Sequence, residues 1–137
     1  MRSWLSLAHF RGSPSGNGDD LVPLWDVNVY PRLDGTLVAH LYNYTTVTNA
    51  EELFPVVVPV DTWVQFEVLF RKGSDQTGRV AVWQDGVPVI DVTGVPTTVT
   101  DFIQWDAGGS SDDIVPASAS IYIDDAAISL VRVGPGQ

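Results

Sequence analysis

The sequence predicts an all-β fold, an antiparallel two-sheet jelly-roll sandwich, in a single domain over residues 1–137. Apolar and polar residues alternate with a period of two in many segments, whereas no window has the apolar spacing of an amphipathic helix. Turn-forming residues separate these segments at the roughly 8 to 15-residue intervals typical of sandwiches. A chain of 137 residues can bury roughly two thirds of its unfolded surface in one core. We therefore expect one packed domain.

Each predicted strand follows from its alternation. In residues 63–71, Val68 and Phe70 lie on one face and Gln65 and Glu67 on the other. Asp85-Gly86 suits a two-residue type I′ turn and predicts a hairpin between residues 79–84 and 87–92. The other predicted strands are residues 4–10, 24–30, 36–44, 102–105 and a long final strand over 118–133. Residues 11–20 are rich in Gly, Ser and Asp and predict a flexible loop, and residues 134–137 are expected to fray.

Charge and composition exclude several functions. The formal net charge is -10, with seven basic and 17 acidic residues, and such a field repels nucleic acid. The chain has no cysteine, which excludes a disulfide framework, a thiolate nucleophile and a cysteine-based zinc site. No apolar run approaches the roughly 18 residues of a membrane span, and the N-terminal run is too short for a signal peptide.

A family resemblance lies in the hairpin Gly-Arg-Val-Ala-Val-Trp-Gln-Asp-Gly-Val-Pro-Val-Ile-Asp-Val-Thr-Gly-Val at residues 78–95. It resembles the polysaccharide lyase and heparin-lyase-like group of concanavalin-A-like jelly rolls. The strand over residues 63–71 is similar to a strand of that group, and the closing Ile-Tyr-Ile-Asp-Asp-Ala-Ala-Ile-Ser at 121–129 is similar to its last core strand. Together they cover roughly residues 60–130, and the resemblance implies a function involving polysaccharides.

Several predicted strands carry rows of side chains that can contact sugars. On the predicted strand 36–44, His40, Tyr42 and Tyr44 share one face. Sugar recognition needs aromatic faces and planar polar groups. The candidate carbohydrate-binding residues are His40, Tyr42, Tyr44, Trp63, Gln65, Glu67 and Trp83. We expect His40, Tyr42, Gln65 and Glu67 to share one binding face, or else the aromatic residues and the histidine to be ordinary surface groups packed over the sheet.

A lyase would need a base and a group that neutralises the uronate carboxylate. If the chain is a lyase, His40 or Tyr42 is the expected base, with Arg71 or Arg79 near the carboxylate. The lysine-and-tyrosine signature of the family is absent, and the acidic field opposes uronate polymers unless arginines override it locally. The Glu-x-Asp-x-x-Glu pattern of jelly-roll glucanases is also absent, so Glu67 is expected to be solvated or paired with an arginine.

No cofactor is expected, with structural calcium as an alternative. Calcium binds carboxylate oxygens from loops, and the sequence contains the acidic pairs 19–20, 112–113 and 124–125. Neighbouring residues on a strand point to opposite faces, so at most one of Asp124 and Asp125 can serve a given site. Asp125 is the candidate ligand.

Three functions remain open at this point. The first is a non-catalytic, lectin-like domain that binds a polysaccharide or oligosaccharide. The second is a polysaccharide lyase, or a fragment of one, acting by β-elimination. The third is a structural or self-assembly module. The expected partners are glycans, without nucleic acid or membrane, and the expected location is extracellular or on the cell surface, which would require a signal peptide outside this sequence.

The family pattern is longer at its N-terminus, so we expect some of its strands to be absent and one sheet edge to be open. A domain that self-associates, or that depends on a longer parent chain, is therefore expected. Light scattering should give a mass above that of one chain. A clean monomer mass over a range of concentrations would contradict this.

Overall fold

The computed structural model describes residues 4–46, 48–50, 56–112, 114 and 118–134. The alternating segments form strands, as their period of two requires. Within these ranges, no helix is long and apolar enough to cross a membrane. The strands are β1 (Trp4–Ser13), β2 (Val22–Pro31), β3 (Leu37–Asn43), β4 (Thr48–Ala50), β5 (Phe66–Arg71), β6 (Gly78–Gln84), β7 (Val87–Val95), β8 (Phe102–Ala107) and β9 (Ser111–Asp112).

The strands form two antiparallel sheets. The first sheet has six strands in the order β4-β3-β2-β1-β8, and β9 also pairs with β1. The second sheet has three strands in the order β5-β6-β7. Every strand pair is antiparallel. The predicted all-β, two-sheet fold is therefore confirmed.

The hydrophobic core lies between the inward faces of the two sheets. Phe10 of the first sheet stacks on Phe70 of the second, with 4.4 Å between ring centroids and 11° between planes. The predicted inward side chains Val68 and Phe70 pack against this core. Its buried members are Ala8, Phe10, Leu24, Trp25, Val27, Ala39 and Leu41 from the first sheet and Val80, Val82, Val89 and Ile90 from the second.

A β-bulge in β1 decides which side chains face outward on the first sheet. Ser6 pairs with Asn28 and Ala8 with Val27, so Leu7 is an extra residue in β1. Side chains three positions apart would normally point to opposite faces of a strand. Because of the bulge, Ser6 and His9 both lie on the outward face.

The hairpin predicted at Asp85-Gly86 is confirmed. Asp85 has φ 48° and Gly86 has φ 79°, and two positive φ values are the signature of a type I′ turn. The Asp85 carboxylate also accepts a hydrogen bond from the backbone N–H of Gln65 at 2.9 Å. The turn therefore fixes the register of β6 and β7 and joins it to the entry of β5.

The prediction of a final strand over residues 118–133 is wrong. The described residues 118–134 contain no strand, and Leu130 is fully exposed at 105%. Asp125 has φ 53° and its N–H bonds to the Asp124 carboxylate at 2.9 Å. Asp125 can adopt this left-handed conformation because its side chain is short. The two sheets are formed by strands that end at or before Asp112, so the alternating residues of this segment have no partner strand within the described ranges.

Three smaller differences concern loops and ends. β1 continues to Ser13, so the first residues of the predicted loop 11–20 are strand. β4 and β9 have only three and two residues, which is too short for a period-two pattern to predict. Of the predicted frayed tail 134–137, residues 135–137 lie outside the described residues, as does position 113 of the acidic pair 112–113.

Replacing Gly86 by alanine should destabilise the fold by about 1–2 kcal/mol, because a Cβ disfavours the left-handed conformation. Chemical denaturation measures this loss. The matched control is Asp85→Asn, which keeps a short side chain tolerant of positive φ and an acceptor for Gln65. A loss of stability in Asp85→Asn with none in Gly86→Ala would mean that charge, rather than backbone conformation, stabilises the turn.

Candidate functional site

The outward face of the first sheet is polar, and we call it the polar face. Strand pairing places His9 beside Asp26, Asp26 beside Tyr42, and Asp106 on the other side of His9. Because residues two apart share a face, a continuous polar array crosses four strands. Its members are Ser6, His9 and Arg11 of β1, Asp26, Asn28 and Tyr30 of β2, His40 and Tyr42 of β3, Tyr44 just after β3, and Gln104 and Asp106 of β8.

A buried carboxylate lies at the centre of the polar face. Asp26 is 2% exposed, and its Oδ1 is 2.7 Å from Nδ1 of His9. The hydroxyl of Tyr44 donates a hydrogen bond to its Oδ2 at 2.8 Å. Since an ionised carboxylate only accepts hydrogen bonds, it favours the His9 tautomer with hydrogen on Nδ1. Asp26 therefore orients an imidazole and a phenol at once.

The same carboxylate holds the proton on Tyr44. Burial raises the pKa of Tyr44 above its usual value, and the hydrogen bond to Asp26 and its negative charge raise that pKa further. Burial disfavours the charged phenolate, and a neighbouring anion disfavours it again. Tyr44 is thus a neutral hydrogen-bond donor to Asp26 and is unsuited to act as a base.

Asn28 offers amide hydrogens beside this centre. Ser6 donates its hydroxyl hydrogen to Oδ1 of Asn28 at 2.8 Å, and both side chains are buried. Because Oδ1 accepts this bond, the amide nitrogen is the side of the group that donates. Asn28 pairs with His40 in the sheet, so the donor lies next to the row of aromatic rings on β3.

Arg11 of β1 lies beside Asp106 and Gln104 of β8, at one end of the array. Nε of Arg11 is 3.5 Å from Oδ2 of Asp106, and both side chains are partly exposed. Gln104 donates to the other oxygen of Asp106 at 3.0 Å. Oδ2 of Asp106 is itself buried and has no hydrogen-bond partner among the described residues, so Arg11 is the charge partner of this oxygen.

The predicted row His40, Tyr42 and Tyr44 does lie on the polar face. The Tyr42 and Tyr44 rings meet edge to face with centroids 4.8 Å apart. The His40 ring stacks on Tyr30 with centroids 5.2 Å apart. All four rings are half-buried, so the row presents ring surface while its members pack on one another.

The other predicted sugar-binding residues lie elsewhere. Glu67 pairs with Trp83 on the outward face of the second sheet, on the opposite side of the sandwich. The expectation that His40 and Tyr42 share a face with Gln65 and Glu67 is therefore wrong, because the two rows belong to different sheets. Trp63 precedes β5 and is 70% exposed.

The C-terminal segment covers that second row. Arg132 bonds to Glu67 through Nε and Nη2 at 2.9 and 2.8 Å, and its guanidinium lies 4.7 Å from the centre of the Trp83 ring. Gln65 donates a hydrogen bond to the carbonyl oxygen of Gly134 at 2.9 Å. Glu67 is thus paired with an arginine, one of the states expected from the sequence.

The two arginines proposed for a lyase are not near His40 or Tyr42. Arg79 forms a two-point pair with Asp91 at 2.8 Å on the outward face of the second sheet, and this pairing raises its pKa. Arg71 pairs with Arg79 on that face and is exposed. They therefore do not join the polar face.

No group of three or more His, Asp or Glu side chains is placed to hold a metal ion in the part of the chain that the structure describes. Asp125 lies in the exposed turn formed with Asp124. Its role as a calcium ligand stays a prediction.

The sequence analysis identified only His40, Tyr42 and Tyr44 of the array, and the residues it missed include His9, Arg11, Asp26 and Asn28. Simple alternation places His9 on the same face as Leu5 and Leu7, and only the bulge at Leu7 reverses this. Asp26 and Asn28 alternate with Trp25 and Val27 on β2, a pattern that was available from the sequence.

Comparison with known proteins gives one finding. A family model described as polysaccharide lyase matches residues 1–127, which is most of the 137-residue chain. No curated protein and no solved structure matches.

The pKa of the Tyr44 phenol should lie above the usual tyrosine value of 10.0, because burial and then Asp26 oppose the phenolate. A raised pKa means that the bonded phenol stabilises the fold fully below that usual value and loses this contribution as the pH rises further. The ultraviolet difference between the alkaline titrations of wild type and Tyr44→Phe isolates this phenol. In Asp26→Asn its midpoint should fall. An unchanged midpoint would mean that Asp26 does not hold the proton.

Proposed function

The chain belongs to the polysaccharide lyase family, and from that membership and the polar face we propose that it cleaves a uronate-containing polysaccharide by β-elimination. The observation that carries this proposal is the buried Asp26 carboxylate, bonded to His9 and Tyr44 at 2.7 and 2.8 Å. Elimination needs a base for the proton α to the uronate carboxyl and an acid for the leaving oxygen. Because its substrates are bulk polymers, we place the protein outside the cell.

His9 is the proposed base. Asp26 fixes the hydrogen on Nδ1, so Nε2 carries the lone pair that accepts a proton. When the ring becomes positively charged, the carboxylate at 2.7 Å stabilises it. This is the arrangement by which a buried carboxylate supports a histidine base in hydrolases.

Tyr44 is the proposed acid. The phenol is protonated at neutral pH, so a proton is present when the glycosidic oxygen departs. Its raised pKa makes it a weak acid, which suits transfer to a strongly basic alkoxide. Tyr44 and His9 are bonded to two oxygens of one carboxylate, which places acid and base on adjacent parts of the polar face. When the Tyr44 proton leaves, the positive charge gained by His9 offsets the repulsion between Asp26 and the new phenolate.

The uronate carboxylate needs donors that neutralise its charge as the α-carbon loses its proton. The amide of Asn28 and the guanidinium of Arg11 are the proposed donors, since both lie on the polar face within one or two strands of Asp26. Arg11 also offsets the repulsion between a uronate polymer and a chain of net charge -10. These assignments replace Arg71 and Arg79.

Binding without cleavage is the second candidate function. It is favoured by the two ring pairs, Tyr30 with His40 and Tyr42 with Tyr44, which line the same face and suit stacking on pyranose rings. In this case the polar face would retain a glycan and release no product.

The two histidines of the chain give a matched test. His9→Gln should lower kcat on uronate polymers by about 10²–10⁴-fold, the usual contribution of a general base, while His40→Gln should mainly raise KM. The ultraviolet absorbance of the unsaturated uronate product measures both. Tyr44→Phe should lower kcat similarly, with Tyr42→Phe as its control.

Each outcome separates the alternatives. Loss of kcat in His40→Gln but not in His9→Gln would contradict the assignment of the base and leave the lyase activity standing. Retardation of the wild type in gels containing glycan, without any unsaturated product, would instead favour binding alone. Absence of both would contradict the proposed function.

A further inference from the structure

Both ring nitrogens of His9 are engaged, and the outward one meets an exposed serine. Nδ1 contacts Asp26 at 2.7 Å, and Nε2 lies 3.3 Å from Oγ of Ser110. His9 is only 8% exposed, whereas Ser110 is exposed. The hydroxyl of Ser110 therefore lies between the proton-accepting nitrogen and the surface of the polar face.

The backbone fixes this serine against β1. After β8 ends at Ala107, the N–H of Gly108 donates to the carbonyl oxygen of Leu7 at 2.8 Å, and the N–H of Ser6 donates to that of Ser110 at 2.8 Å. The chain then continues as β9, which pairs with Trp4 and Leu5. The turn is thus held on both sides of the bulge at Leu7.

The other two residues of the turn, Gly108 and Gly109, have no side chain. A Cβ at Gly109 would lie 2.9 Å from the carbonyl oxygen of Ser6, closer than real Cβ contacts allow. Because Gly108 and Gly109 have no side chain, Ser110 is the residue of this turn that reaches the imidazole. The order carboxylate, imidazole, hydroxyl runs from the buried centre outward.

We propose that Ser110 is a further catalytic residue, through which His9 removes the substrate proton. This rests on the proposed lyase function, because it concerns the base of that reaction. Asp26, His9 and Ser110 form a relay. Ser110 contacts the substrate, His9 accepts the Ser110 proton, and Asp26 stabilises the resulting imidazolium.

The proton balance of the relay is complete. As the C–H bond α to the carboxyl breaks, its proton moves to Oγ of Ser110, and the original hydroxyl proton of Ser110 moves to Nε2 of His9. The C–H electron pair forms the new double bond while the bond to the leaving oxygen breaks, and Tyr44 protonates that oxygen. Concerted transfer avoids a free alkoxide, since the Ser110 oxygen gains one proton as it loses another.

The test compares two neighbouring serines. Ser110→Ala should lower kcat by about 10²-fold, the lower end of a general-base contribution, with little change in KM. Ser110→Thr keeps the hydroxyl and should retain most of the activity. Ser111→Ala, one residue further along in β9, should behave as wild type.

Two further readouts separate a relay from a serine that only caps His9. In wild type, the solvent isotope effect on kcat should reflect more than one proton in flight, and in Ser110→Ala it should fall. The lower limb of the pH profile should also shift in Ser110→Ala, because Nε2 loses its hydroxyl partner. Thermal unfolding checks that each variant folds. If Ser110→Ala does not fold, the activity of Ser110→Thr still tests the proposal.

Three results would overturn the relay. A wild type without lyase activity would remove it together with the proposed function. An active wild type whose kcat, isotope effect and pH profile are unchanged in Ser110→Ala would remove the relay alone. A faster Ser110→Ala would show that Ser110 obstructs His9 instead of serving it.

Discussion

The buried carboxylate of Asp26 is the constraint on which the polar face depends. An ion taken out of water loses several kcal/mol of solvation, and good partners must offset that loss. Here the partners come from two other strands, His9 on β1 and Tyr44 after β3. The register of three strands is therefore tied to one charge, and any slip that separates these partners leaves an ion buried alone.

The same strand that carries Asp26 also supplies the core. Trp25 and Val27, its neighbours in the chain, are buried against the second sheet, while Asp26 and Asn28 point the other way. Packing on the inward side fixes the backbone, and that backbone positions the polar side chains to within hydrogen-bonding distance. Core packing therefore also determines the geometry of the polar face. This explains how a small sandwich holds so many polar groups in one array.

Period-two alternation was sufficient for the fold and for part of the site. It identified the row His40, Tyr42 and Tyr44, and the Asp85-Gly86 turn followed from backbone chemistry alone. The alternation gave no information about contacts between residues that are distant in the chain. Glu67 is covered by Arg132, 65 residues away in the chain, and no spacing rule shows which of the two sheets a strand will join. Residues 118–133 have a strand's alternation, yet they have no partner strand in the described part of the chain.

The bulge at Leu7 makes the polar face sensitive to the length of β1. Ser6 and His9 serve the same face only because one residue of β1 lies outside the ladder. Deleting that single residue would keep every functional side chain in the sequence and still turn either Ser6 or His9 toward the core. A homologous chain could therefore retain all the residues of the array and lose the array itself, so residue identity at these positions is informative only together with the length of β1.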